Sequence, residues 1–157
     1  MATSNPSEHY PAAKFFFRVS FGNILVSFQE VSGLEQQVEQ LEYRHGKSRQ
    51  LTKQVRAGLA RTTNITLKRG VFQDRSELVE LFGSVLDERH YHPQSGHKLD
   101  FLVSLMDYDG SSAVPVMTWK VRNAMPVKFS GPDLRADANE VAVESIEFAH
   151  EGVSVEM

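Results

Sequence analysis

The chain has 157 residues, 41% of them hydrophobic, with a formal net charge of −3 and no cysteine. That length suits a single domain with a core of its own, and the missing cysteines exclude a disulfide framework and thiolate metal centres. No apolar run approaches the ~20 residues of a membrane-spanning helix, and the start of the chain lacks the basic and apolar regions of a Sec-type leader, so synthesis and assembly in the cytoplasm are expected.

The small net charge hides a segregation. From Arg44 to Gln73 there are eight Lys or Arg residues and no acid, whereas Asp133 to Met157 carry seven acids against Arg135 alone. One part of the surface can therefore complement another part of a second copy.

Phe15, Phe17, Val19 and Phe21 alternate with Lys14, Arg18 and Ser20, the period of a strand with one buried face. Gly22-Asn23 then supplies a two-residue hairpin turn. The returning strand, Ile24 to Val31, sets Ile24, Val26 and Phe28 against Leu25, Ser27, Gln29 and Val31. After Ser32-Gly33 a third run, Leu34 to Tyr43, sets Gln37, Glu39, Leu41 and Tyr43 against Gln36, Val38, Gln40 and Glu42. Strands this rich in Gln and Glu suit a layer that lines something.

Between Gly46 and Ala60 the pattern is neither helical nor alternating, so 44–61 reads as an extended basic loop, and loops of that length are usually functional or disordered. Thr63, Ile65 and Leu67 then alternate with Asn64, Thr66 and Lys68 as another half-polar strand. A helix follows, capped by Asp74 and Glu77 and carrying Leu78, Leu81, Phe82, Val85 and Leu86 at helical spacing. The polar stretch 90–97 ends it. Leu99, Phe101, Val103 and Leu105 mark a strand, Asp107-Tyr108-Asp109-Gly110 a turn, and Val114 to Asn123 the next strand. Pro126 and Gly131-Pro132 punctuate the chain before a final strand or strand pair through Val141 to Val153. The whole reads as seven to nine strands and one helix in a single domain over 1–157. This is a mainly β member of the α+β class: an antiparallel β-sandwich or barrel with one packed α-helix.

Chemistry is not written into this sequence. His90, His92 and His97 are close enough to invite a zinc reading, yet a polar connection containing Pro93 and Gly96 accounts for them. Asp107-x-Asp109-Gly110 lacks the downstream Glu of a calcium loop, and Asn64-Ile65-Thr66 is a sequon inside an expected strand. No nucleophile elbow, P-loop or dinucleotide fingerprint occurs, so no enzyme, metal or cofactor is expected. The basic segment has no aromatic residue between Tyr43 and Phe72, so it lacks the stacking half of a single-strand binder, and no specific nucleic-acid binding is expected.

Six stretches taken together are more specific than any one of them: YPAAKFFFRVSFG (Tyr10 to Gly22), FQEVSGL (Phe28 to Leu34), LEYRHG (Leu41 to Gly46), NITLKRG (Asn64 to Gly70), WKVRNAMPVKFSGPDLRA (Trp119 to Ala136) and VESIEFAHEGV (Val143 to Val153). In this order they resemble the tail-tube proteins of contractile phage tails and of phage-tail-like contractile injection systems, over nearly the whole chain. The resemblance implies hexameric rings that stack into a hollow inner tube with a continuous lumen β-barrel. It further implies a sheath protein, baseplate or tube-initiator and terminator proteins as partners, with protein or DNA cargo transiently in the lumen. A membrane would be met only through the assembled particle.

On that footing, alternation places Ser27, Gln29, Gln36, Gln40, Glu42, Asn64 and Thr66 toward the lumen. Residues 1–12 become an N-terminal arm, and 44–61 a long inter-subunit loop. Arg44, Lys47, Arg49, Lys53, Arg56 and Arg61 would meet Glu140, Glu144, Glu147 and Glu151 of another subunit. The other readings weighed are a minor tube-initiating paralogue near the baseplate, a type VI secretion tube protein of the same architecture, a monomeric ligand-binding β-barrel and a nucleic-acid-binding domain.

Overall fold

The computed structural model describes residues 16–43, 46, 53–71, 98–109, 112–137 and 140–157. They form ten strands: β1 (Phe17–Phe21), β2 (Ile24–Val26), β3 (Glu30–Ser32), β4 (Gln36–Tyr43), β5 (Gln54–Thr62), β6 (Ile65–Gly70), β7 (Leu99–Asp109), β8 (Ser112–Ser130), β9 (Val143–Ala149) and β10 (Gly152–Glu156). Every pairing is antiparallel. Eight strands run in the order β2-β1-β7-β8-β9-β6-β3, with β10 also on β8, while β4 and β5 form a separate two-stranded ribbon. The helix expected from Asp74 to Leu86, the His90, His92 and His97 loop, the N-terminal arm and Arg44, Lys47 and Arg49 all lie outside the described residues.

The sheet turns back on itself because β8 belongs to both halves of the molecule. Its first half pairs with β7, and its last residues, Met125 to Ser130, pair with β9. On one side of the core Val19, Phe21, Phe101, Val103 and Val121 point inward; on the other Ile65, Leu67, Ile146 and Phe148 do so, all buried. Aromatic rings join the halves: Phe148 lies 5.2 Å from Phe101 and 5.9 Å from Phe21, centroid to centroid. Offset rings at such spacing add to the burial of their large apolar areas.

The bend in β8 falls at Asn123, whose φ of 49° is the positive-φ value of a non-glycine residue. Asn tolerates that region better than most residues. Asp100 accepts its backbone N–H at 2.9 Å, and its side-chain amide donates to Glu151 at 2.6 Å. Lys98 also holds Glu151. Hydrogen bonding from Lys98, then from Asn123, draws the Glu151 carboxyl below its ordinary range. A depressed carboxyl contributes at neutral pH and loses that contribution as pH falls through the folded-state value. Replacing Asn123 with Ala should cost about 1–2 kcal/mol through the left-handed backbone alone, and Asn123→Gly should cost less. Urea titration of the two variants checks the order, and in the wild type the corner should loosen first on acidification.

Four expectations are corrected. Residues 54–62 are strand β5 and not loop. Their alternation was invisible because both faces of the ribbon are exposed, and a bulge between Val38 and Gln40, opposite Gly58 and Leu59, shifts the parity. The expected strand from Ile24 to Val31 is two strands, since the chain leaves β1 after Val26 and joins β6 at Glu30. Asp107 to Asp109 extend β7, so the turn expected there is shorter. Finally, Pro126 lies within β8, beside a register shift between Pro126 and Lys128, a position where a missing N–H is tolerated.

Candidate assembly surfaces

Three surfaces stand out. The first is the outer face of the segment β8 (second half), β9, β6, β3. Along β6, Ile65, Leu67 and Arg69 are buried while Thr66 and Lys68 are half-exposed; along β9, Glu144, Ile146 and Phe148 are buried while Ser145 and Glu147 look the other way. Register sets Lys68 beside Glu30, Thr66 beside Ser32 and Glu147 beside Lys128. The face is therefore mainly polar, with Met125 and Val127 exposed along its β8 margin, and it is bound to itself: Lys68 meets Glu30 at 3.0 Å, and Asn64 donates to Glu147 at 2.7 Å.

This segment ends on two strands without a further partner among the described residues. Glu30–Ser32 pairs only with β6, and Met125 to Ser130 only with β9. Open strand edges of this kind invite another strand.

The second surface is the β4–β5 ribbon, which prolongs β3 and β6 past a kink. Gly33, with φ of 86°, sits so tightly at the kink that a Cβ there would lie 2.1 Å from the Asn64 carbonyl oxygen. At its root the Gln36 amide donates to the Val153 carbonyl at 2.7 Å, and the His150 ring lies 2.8 Å from the Thr63 carbonyl. Because Gly152 N–H donates to His150 Nδ1, the other ring nitrogen, Nε2, carries the proton and donates to Thr63. Further out, Gln36, Val38, Gln40 and Glu42 share one face with Val55 and Ala60, and Gln37, Glu39, Leu41 and Tyr43 share the other with Arg56 and Arg61. Lys53 binds Glu42 at 2.5 Å, which raises the Lys53 pKa, and Arg61 binds Glu39.

The third is an apolar groove of about 620 Å³ where the two halves of the sandwich part. Phe17, Val31, Leu34, Leu105 and Trp119 line it, with Gln29 and Glu30 at its margin.

The residues singled out in the sequence scatter over these surfaces. Asn64 and Thr66 lie on the polar sheet face; Gln36, Gln40 and Glu42 lie on the ribbon; Ser27 is exposed between β2 and β3, and Gln29 borders the groove. Among the described cations of the basic segment, Lys53 and Arg61 are paired within the subunit, whereas Arg56 has no carboxylate partner among the described residues. Glu140 is exposed, Glu147 holds Asn64, and Glu151 holds Lys98 and Asn123. Glu144 is buried and takes a hydrogen bond from Arg69 Nε at 2.5 Å. Sequence reading missed Lys68, Ser145 and Lys128 on the polar face; the alternation in NITLKRG and VESIEFAH carried the signal for the first two. It also missed the groove, which joins residues from five separate stretches.

The architecture is shared with subunits of contractile injection systems. It matches a chain of the structure described as an extracellular contractile injection system, PVC sheath-tube complex in the extended state, at 30% identity and TM-score 0.79, over 99% of this chain and 98% of that one. A chain of the anti-feeding prophage cap, the AFP tube terminating cap, is 27% identical with TM-score 0.80, over 99% of each chain. Hcp1 from Flavobacterium johnsoniae shares the fold alone, at 13% identity and TM-score 0.53 over 90% of this chain and 94% of that one. No curated protein matches. The family described as T4-like virus tail tube protein gp19 matches residues 13–154, and this chain belongs to it.

Proposed function

We propose that this tail tube protein forms six-membered rings that stack into a hollow inner tube, with β8 (second half), β9, β6 and β3 as its share of a continuous lumen barrel. The observation that carries this reading is the polar-faced four-strand segment ending on two open edges. Copies adding head to tail would pair Glu30–Ser32 of one with Met125 to Ser130 of the next. A rotation that closes makes a ring and removes both edges. The number six follows the family.

In that tube Asn64 and Thr66 face the lumen together with Ser32, Ser145 and Lys128, and Gln40 and Glu42 continue the lining along the ribbon. A conduit must hold its cargo nowhere strongly. Hydroxyls, together with charges of which Lys68 is bound to Glu30, Glu147 to Asn64 and Glu42 to Lys53, meet that need, because Lys128 alone leaves neither a polyanion nor a polypeptide a row of free counter-charges. Relatives drawn from sheath-tube, tube-terminator and baseplate assemblies support the same company for this chain. Salt is expected to have a modest effect on polymerisation, since ribbon cations paired within the subunit contribute little between copies and exposed pairs are worth about 0–1 kcal/mol.

Electron microscopy of the purified protein at rising concentration tests the reading: hollow tubes built of six-fold rings are expected. Hydrogen exchange on the same samples should show amides of Glu30–Ser32 and Met125 to Ser130 gaining protection on assembly. A particle that stays monomeric even when mixed with its baseplate-proximal tube partner would refute the tube, and protection confined to other strands would refute the wall.

A further inference from the structure

We infer that His150 is a proton-operated latch: its neutral ring ties the root of the β4–β5 ribbon to the corner between β9 and β10, and protonation of the ring releases that root. The latch belongs to the single subunit, and only its effect on assembly rests on the tube reading above. An imidazole that accepts at one nitrogen and donates at the other must be neutral. His150 does both, since Nδ1 accepts the Gly152 N–H at 3.2 Å and Nε2 donates to the Thr63 carbonyl at 2.8 Å. A proton added at Nδ1 turns that acceptor into a donor and sets it against the Gly152 N–H. Gly152 is buried, and a buried donor that loses its acceptor is costly. Rotating the ring away from Gly152 relieves the clash but gives up Thr63.

Two connections meet at this ring. Thr63 lies between β5 and β6, His150 between β9 and β10, and the Thr62 hydroxyl donates to the His150 carbonyl at 3.4 Å. With the Gln36 amide on the Val153 carbonyl, these are the side-chain bonds that tie the ribbon root to that corner among the described residues. A two-stranded ribbon is marginal by itself, so loosening its root changes where it points. The charges around the ring leave its proton as the working variable. Glu151, next in sequence, is engaged by Lys98 and Asn123, which hold its carboxyl below the ordinary range, so it keeps its charge while imidazole titrates. Arg122 on β8 brings its guanidinium against Gly152, and Asp100 on β7 holds the Asn123 N–H. Glu147 on β9 is bound to Asn64, and at the ribbon root Arg61 holds Glu39 while Glu35 stands near Thr63. The latched state carries one proton fewer than the released one, so the latch weakens as pH falls.

Hydrogen exchange read by mass spectrometry on the dilute, unassembled subunit, corrected for intrinsic rates, tests the latch directly. Between about pH 7.5 and about pH 5.5, where imidazole takes up its proton, wild-type protection over 62–65 and 150–153 should fall roughly tenfold, the order of one lost buried hydrogen bond. Protection of the core strand β7 should not change. His150→Asn keeps a short acceptor for the N–H two residues on, as in an Asx turn, and cannot be charged, so its protection over 150–153 should be the same at both pH values. Glu151→Gln removes the other acid-sensitive group of the corner and should retain the wild-type fall. The sedimentable fraction of wild-type tubes should drop over the same interval, whereas that of His150→Asn, whatever its level, should not. Wild-type protection that is equal at both pH values, or an equal fall in His150→Asn, would overturn the latch and leave the tube reading standing. A fall in protection without a drop in sedimentable tubes would keep the latch and overturn its effect on assembly. Failure of the wild type to form tubes at either pH would sink the tube reading, while the exchange result still decides the latch.

Discussion

Arg69→Met is expected to destabilise the subunit by about 3–5 kcal/mol, the cost of leaving a buried charge without its partner. Arg69 is 2% exposed and lies on the same inward face of β6 as Ile65 and Leu67. Directly opposite on β9, Glu144 accepts its Nε–H at 2.5 Å. Two ions removed from water gain little net energy from each other, but either one alone is strained toward solvent or neutrality. The double variant Arg69→Met, Glu144→Leu should therefore recover most of the loss, because a packed apolar pair in that place is close to neutral or stabilising. Urea denaturation of the wild type, both single variants and the double variant closes the cycle. A double variant as unstable as the singles would mean that the pair holds something beyond itself in place.

Gly33→Ala should be the second severe lesion, and Gly22→Ala its control. Both glycines have positive φ, 86° and 58° respectively. A side chain at either position brings the strain of left-handed backbone, about 1–2 kcal/mol. Only at Gly33 does the added Cβ run into main chain, 2.1 Å from the Asn64 carbonyl oxygen and 3.1 Å from its carbon, while at Gly22 nothing lies within 4 Å. Main chain cannot swing aside as a side-chain tip can. Gly33→Ala should therefore lose roughly 3 kcal/mol or more against about 1–2 for Gly22→Ala, and it should also fail to form tubes, since the kink aims the ribbon. Equal losses at the two sites would show that strand β3 shifts freely away from Asn64.

What could be read from the sequence follows where burial is one-sided. Phe17, Val19 and Phe21, then Phe101 and Val103, then Ile146 and Phe148 alternate cleanly because one face meets the core, and those strands stand where periodicity puts them. The ribbon strand 54–62 gave no such signal. Ala57, Leu59 and Ala60 are as exposed as Arg56 and Arg61, so neither face is marked, and Gly58 at the bulge reads as a loop residue. Pro126 likewise suggested a break that an irregular register absorbs. Assembly surfaces were legible as composition but not as contacts. The basic run was plain, yet nothing in the order of residues says that Lys53 turns to Glu42, Arg61 to Glu39 and Arg69 to Glu144. Those pairings depend on a hairpin register and on β6 meeting a strand from the far end of the chain.

That last pairing bears on when the subunit can become competent. β1 pairs with β7, and β6 waits for β9, so two of the eleven buried residues of the core cluster, Ile146 and Phe148, are translated last. Such distant pairings fold slowly, on the scale of milliseconds to seconds. Until residues 143–149 have been made, Ile65 and Leu67 have only the three-residue strand β3 beside them, and the surface that would start a polymer does not yet exist. Growing chains on one messenger are therefore expected not to nucleate tubes on one another, by the order in which the ribosome delivers the strands.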